Sequence, residues 1–150
     1  PAYTNLGIGI NYNPWKWLNI NFAPLTGGLV IVTLPELRKS YGNDEDKSVR
    51  FEFGAQLKID AQVAINDVFS YTTQIVLFSN YLKNPQNFRV NWDNTINYKL
   101  GKYFVLNFIT NLIYDPTILI KEDKDIEKFP DGTQRVQFKE SLALGVTFMF

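Results

Sequence analysis

The chain has no cysteine and no histidine. Without cysteine there are no disulfides and no thiolate metal sites. Without histidine there is no Ser–His or Cys–His catalytic pair and no imidazole-bound zinc. Net charge is missing too, because fifteen Lys and Arg balance fifteen Asp and Glu. No field therefore favours nucleic acid or an acidic partner. A long apolar run is also absent. The longest uncharged stretch, Trp17–Pro35, is interrupted by Asn19, Asn21, Pro24, Gly27 and Gly28, which makes it a poor membrane helix. The opening at Pro1, with neither Met nor a signal-peptide pattern, is expected of a processed chain or a fragment.

What the sequence does have is alternation. In Arg50–Asn66, Phe51, Phe53, Ala55, Leu57, Ile59, Ala61, Val63 and Ile65 alternate with Arg50, Glu52, Gly54, Gln56, Lys58, Asp60, Gln62, Ala64 and Asn66. Successive side chains of a strand point to opposite faces, so one face is apolar and the other is mostly charged or amide. The run exceeds the roughly 9–11 residues that a tilted strand needs to cross a bilayer. The same period recurs along the chain. Leu6, Ile8, Ile10 and Tyr12 lead to a turn at Asn13-Pro14, and Leu18, Ile20 and Phe22 follow. The pattern breaks around Pro24–Gly28, which predicts a bulge, and resumes at Leu29–Val32. Residues 33–47 read as a loop, and further strands are predicted over 69–82, 87–100, 103–114 and 134–150. A charged loop occupies 115–133.

One domain over residues 1–150 is expected, with long strands joined by short connections. This predicts an all-β, up-and-down antiparallel transmembrane β-barrel of about 7–8 strands, with at least one strand missing upstream in preference to Leu29–Val32 forming a separate piece. A mean hydropathy of −0.15 is compatible with that, because membrane barrels alternate lipid-facing and lumen-facing residues. Three features favour lipid over a soluble barrel with an apolar interior. The polar face is rich in Asn, Gln, Gly, Thr and Ser, and carries both charge signs on one strand. Tight connections at 13–15, 66–68 and 100–102 oppose long ones at 33–47 and 115–133, with 83–86 the short exception. Tyr12, Trp15, Phe69, Tyr71, Tyr98, Tyr103, Phe104, Phe148 and Phe150 fall at the tight-turn ends, as in an interfacial girdle.

On this reading Phe53, Leu57, Ile59, Val90, Trp92, Leu106, Phe108, Leu144 and Val146 face membrane lipid. Arg50, Glu52, Lys58, Asp60, Arg89, Asp93 and Lys99 form a luminal charge network, either a conduction path or, as side chains fill a narrow barrel, a salt-bridged plug. A glycosidase pair drawn from Glu52, Asp60 and Asp93 is disfavoured by the neighbouring Lys and Arg. Asn43–Asp46 lacks the ligand spacing of a calcium loop, and Lys121–Lys128 mixes signs as a solvated loop does. No catalytic residue, cofactor or metal is expected.

The ending SLALGVTFMF (141–150) resembles the terminal strand signal read by the outer-membrane assembly machinery. With NYNPWKWLNINFAPLTG (11–27), VNWDNTINYKLGKYFVLNFITNLIYD (90–115) and FKESLALGVTFMF (138–150), it resembles the C-terminal part of an uncharacterised outer-membrane β-barrel family of Bacteroidetes. The resemblance implies a bacterial outer-membrane location and a longer N-terminal side, but no catalytic residues. The expected role is structural or accessory, with other envelope proteins as partners. A narrow channel or transporter is the first alternative, and a soluble lipocalin-like carrier the second.

Overall fold

The computed structural model describes residues 1–120, 128 and 132–146. Seven strands lie side by side in chain order, each antiparallel to the next. They are β1 (Ala2–Trp15), β2 (Leu18–Ile31), β3 (Val49–Ala64), β4 (Phe69–Asn80), β5 (Phe88–Leu100), β6 (Phe104–Tyr114) and β7 (Val136–Val146). Between β2 and β3 stand one helical turn, α1 (Pro35–Arg38), and a 3₁₀ turn over Lys39–Tyr41. The all-β, up-and-down order agrees with the sequence pattern. The sheet is not closed into a barrel: among the described residues β1 pairs only with β2, and β7 only with β6.

Register carries the alternation of one strand into the next. Phe22, Leu57, Leu77, Val90, Tyr114 and Val136 form one cross-strand row, and Ala23, Gln56, Phe78 and Arg89 form the adjacent row on the opposite face. All the residues expected to face lipid share the first face. Burial follows the other one. Ala23, Thr26, Val30, Glu52 and Phe78 are buried on the polar face, while Glu52 is 1% exposed and its apolar neighbour Phe51 58%. A water-soluble sheet packs its apolar face away and solvates the charged one. This sheet does the reverse.

Aromatic side chains gather at both ends of the strands. Trp15 and Trp17 stack at 5.3 Å and Phe69 meets Tyr98 at 6.4 Å near the tight turns, while Phe53 packs edge-on against Tyr81 at 5.8 Å near the long loops. The sequence placed aromatics at the tight-turn end alone. Tyr71 leaves that set, because its hydroxyl reaches Asn94 Oδ1 at 2.6 Å, further along the strands. Phe148 and Phe150 lie outside the described residues.

Two connections differ from expectation. The first turn is Lys16-Trp17, not 13–15, and Pro14 lies within β1. An edge strand tolerates proline because no neighbour needs its N–H, and the register slips between Tyr12 and Trp15. Residues 33–47 hold the two short helical turns, too brief to show a helical period. Proline opens the first turn, and Gly42, at φ 75°, closes the second. The guanidinium of Arg38 ties this segment down by donating to the carbonyls of Val32, Thr33 and Glu45.

The predicted bulge is present. Register slips between Ala23 and Thr26 of β2 against β3, and between Ile8 and Ile10 of β1 against β2. Gly9 belongs to this irregularity, since a Cβ there would come within 2.5 Å of the Phe22 carbonyl. The Pro24 carbonyl accepts the Tyr81 hydroxyl at 3.0 Å, a brace across β3. Leu29–Ile31 accordingly belongs to β2 rather than to a separate piece, and Val32 follows it directly, its N–H donating to the Ser48 carbonyl at 2.7 Å.

Candidate functional site

Period two sets Arg50 and Glu52 on the same polar face of β3. Arg89 reaches this place from β5, and between the two strands β4 supplies Phe78, whose ring centre lies 5.0 Å from the Arg89 guanidinium carbon. Arg89 Nη2 donates to Glu52 Oε1 at 2.6 Å, and Arg50 Nη1 stands 2.9 Å from the same oxygen. Arg89 Nε stands 2.8 Å from Asp115 Oδ2. The contacts of Arg50 Nη1 and Arg89 Nε are ion pairs at angles poor for hydrogen bonding. Asp115, the residue after β6, is held by its own turn: Oδ1 accepts the Thr117 N–H at 2.8 Å and the Thr117 hydroxyl at 2.6 Å.

The loop segments close over this cluster. Arg50 Nη2 donates to the Tyr41 carbonyl at 3.1 Å, and the Leu119 N–H donates to the Ser40 carbonyl at 3.1 Å. Tyr3 on β1 is within electrostatic reach of Arg50, Arg89 and Asp115. The sheet therefore bends toward its polar face at the long-loop rim. Two guanidiniums and two carboxylates make the cluster formally neutral. The Glu52 and Asp115 side chains are only 2% and 7% exposed, a burial that charges withstand only in pairs.

The remaining expected network is spread along the same face. Lys58 Nζ lies 3.7 Å from Asp60 Oδ2, and Gln74 Nε2 donates to Asp60 Oδ1 at 2.5 Å. Asn111 Nδ2 donates to Asn91 Oδ1 at 2.9 Å and to Asp93 Oδ1 at 2.5 Å. Lys99 borders a hollow with Ser70, Asn97 and Val105 at the tight-turn rim, away from the others. The structure thus brings Arg50, Glu52 and Arg89 together and leaves Lys58, Asp60, Asp93 and Lys99 outside the cluster. It adds Asp115, which the sequence reading left in a loop. Asp-Pro-Thr signals a local turn, but the long-range pairing with Arg89 has no local signature.

A cavity of about 320 Å³ opens beside the cluster, lined by Asn43, Asn80, Lys83, Asn87, Arg89 and Thr117 among others. Asn43 is 4% exposed; its Nδ2 donates to the Val30 carbonyl at 3.3 Å, while Oδ1 has no hydrogen-bond partner among the described residues. Beside it Lys47 Nζ lies 2.9 Å from Asp44 Oδ2, and that hydrogen bond holds the Asp44 carboxyl below its ordinary range. Among the described residues no three Asp, Glu, His or Cys side chains converge on one point. Of Lys121–Lys128, all but Lys128 lie outside the described residues. What these side chains can do is hold the rim shut and present amides to a small polar guest. Compared with family models, curated proteins and solved structures, the chain matches none.

Proposed function

We propose that this chain forms the wall of a transmembrane β-barrel of a bacterial outer membrane, with a structural or accessory part in an envelope assembly. The observation that carries the reading is the inverted facing, with Glu52 enclosed and Phe51 outside. Lipid explains it: a hydrocarbon solvent accepts the apolar face, and the charged face turns to a lumen. Strand length supports the same reading. The strands have 11 to 16 residues, against about 9–11 for a tilted crossing. Aromatics at both rims and unequal connections at the two ends agree with it. So does the resemblance to an outer-membrane family of Bacteroidetes.

In hydrocarbon each unpaired backbone group costs several kcal/mol, so the outer edges of β1 and β7 must pair, with each other or with further strands. A channel would need an open path. The neutral cluster of Arg50, Glu52, Arg89 and Asp115 at the rim favours a plugged interior instead. A soluble carrier would need its apolar face on the concave side. The test is circular dichroism with detergent phase partition. A β-spectrum is expected only in detergent or lipid, with the protein in the detergent phase; a β-folded monomer in plain buffer would overturn the reading.

A further inference from the structure

The apolar face is not uniformly apolar. One row crosses it at right angles to the strands: Thr73 on β4, Asn94 on β5, Thr110 on β6 and Glu140 on β7. Asn94 is the central residue of β5, and Glu140 falls near the middle of β7. The rows on either side are Tyr71, Ile96, Phe108 and Leu142, and Ile75, Trp92, Leu112 and Phe138.

Most of the row satisfies itself. Asn94 Oδ1 accepts the hydroxyls of Tyr71 at 2.6 Å and Thr73 at 2.8 Å, Trp92 Nε1 donates to Thr73 Oγ1 at 2.9 Å, and Asn94 Nδ2 donates to Thr110 Oγ1 at 3.3 Å. Glu140 ends the row on β7, the last strand of the sheet among the described residues, and is exposed. It is the one carboxylate on this face of the seven strands, and no Lys or Arg shares the face among the described residues. Its same-face neighbours along β7 are Phe138 and Leu142.

A carboxylate in hydrocarbon is expensive, and such groups mark functional contacts. A second copy cannot relieve it, because its matching face offers another carboxylate and no cation. We infer that the row ending at Glu140 is a docking stripe for a membrane-embedded segment of a different protein, one carrying an arginine or lysine at the depth of the strand middles. The hydroxyls and amide of Thr110 and Asn94 set a polar track toward the carboxylate, and the flanking rows give the apolar rim.

The inference rests on the membrane reading, and the experiment separates the two. The protein is placed in phosphatidylcholine vesicles with a leucine–alanine spanning peptide bearing one central arginine, or the same peptide with leucine there. Energy transfer between labels reads association, and circular dichroism on the same vesicles reads insertion. Inserted protein is expected to bind the arginine peptide about tenfold more tightly than the leucine one. Glu140→Gln should lose that preference with its β-spectrum unchanged. Inserted protein with no preference, or a preference that survives Glu140→Gln, overturns the docking stripe alone. Failure to insert overturns both readings.

Discussion

At the residue scale, the chain's stability at the long-loop rim turns on Arg89. Its guanidinium bridges Glu52 and Asp115, two carboxylates that are almost wholly enclosed. Truncating one partner of a buried ion pair leaves an uncompensated charge, and here two would be left short of one cation. Arg89→Met is therefore expected to cost about 3–5 kcal/mol. Lys58→Met is the control: the Lys58–Asp60 pair is 3.7 Å apart and its side chains are 38% and 31% exposed, so about 0–1 kcal/mol is expected. Denaturant unfolding in micelles measures both, and equal losses would contradict the cluster's structural role. Replacing Arg89 by Gln and Asp115 by Asn together leaves Arg50 paired with Glu52 and should be milder than Arg89→Met, since no carboxylate is stranded.

At the scale of the strand, face decides everything. Leu57 lies near the middle of β3 between Phe22 and Leu77, so Leu57→Arg sets a charge on the apolar face and is expected to cost about 2–4 kcal/mol. Gln62 points the other way, beside a hollow lined by Asn19, Asp60 and Thr72, so Gln62→Arg should cost about 1 kcal/mol or less. Folding yield into vesicles at increasing urea compares the pair, and similar losses would deny that the faces differ in solvent. Period-two alternation is a local property, which is why all seven strands and the bulge before β2 resumes were legible in the sequence. The first turn was not. Asn13-Pro14 signals a turn, but an edge strand can keep a proline, and the stacking of Trp15 on Trp17 moves the reversal to Lys16. The ionic cluster was legible only in part. Arg50 and Glu52 share a strand and a parity, whereas Asp115 joins them through the bend of the sheet, which no local pattern records. The polar row was missed for a related reason: single Thr, Asn and Glu residues in separate strands look like noise until register aligns them.

At the scale of the molecule, the tight turns form one rim and the long connections the other, with apolar side chains outside between them. Three tryptophans sample that height. Trp15 and Trp17 stand at the first tight turn, and Trp92 lies near the middle of β5 with its indole N–H on Thr73. All three face outward, at 58%, 46% and 40% exposure. Indole at a membrane rim sits at headgroup level, whereas indole on a strand centre sits among acyl chains. Variants that keep Trp92 alone, or Trp15 alone, can be placed in vesicles whose lipids carry bromine shallow or deep along the chain. Trp92 fluorescence should be quenched most by the deep bromines and Trp15 most by the shallow ones. A molecule lying on the membrane surface would show shallow quenching at both positions. A water-soluble sheet would show neither. Only a strand array that crosses the bilayer orders the two indoles by depth, because β1 ends at the rim where β5 is still half its length away.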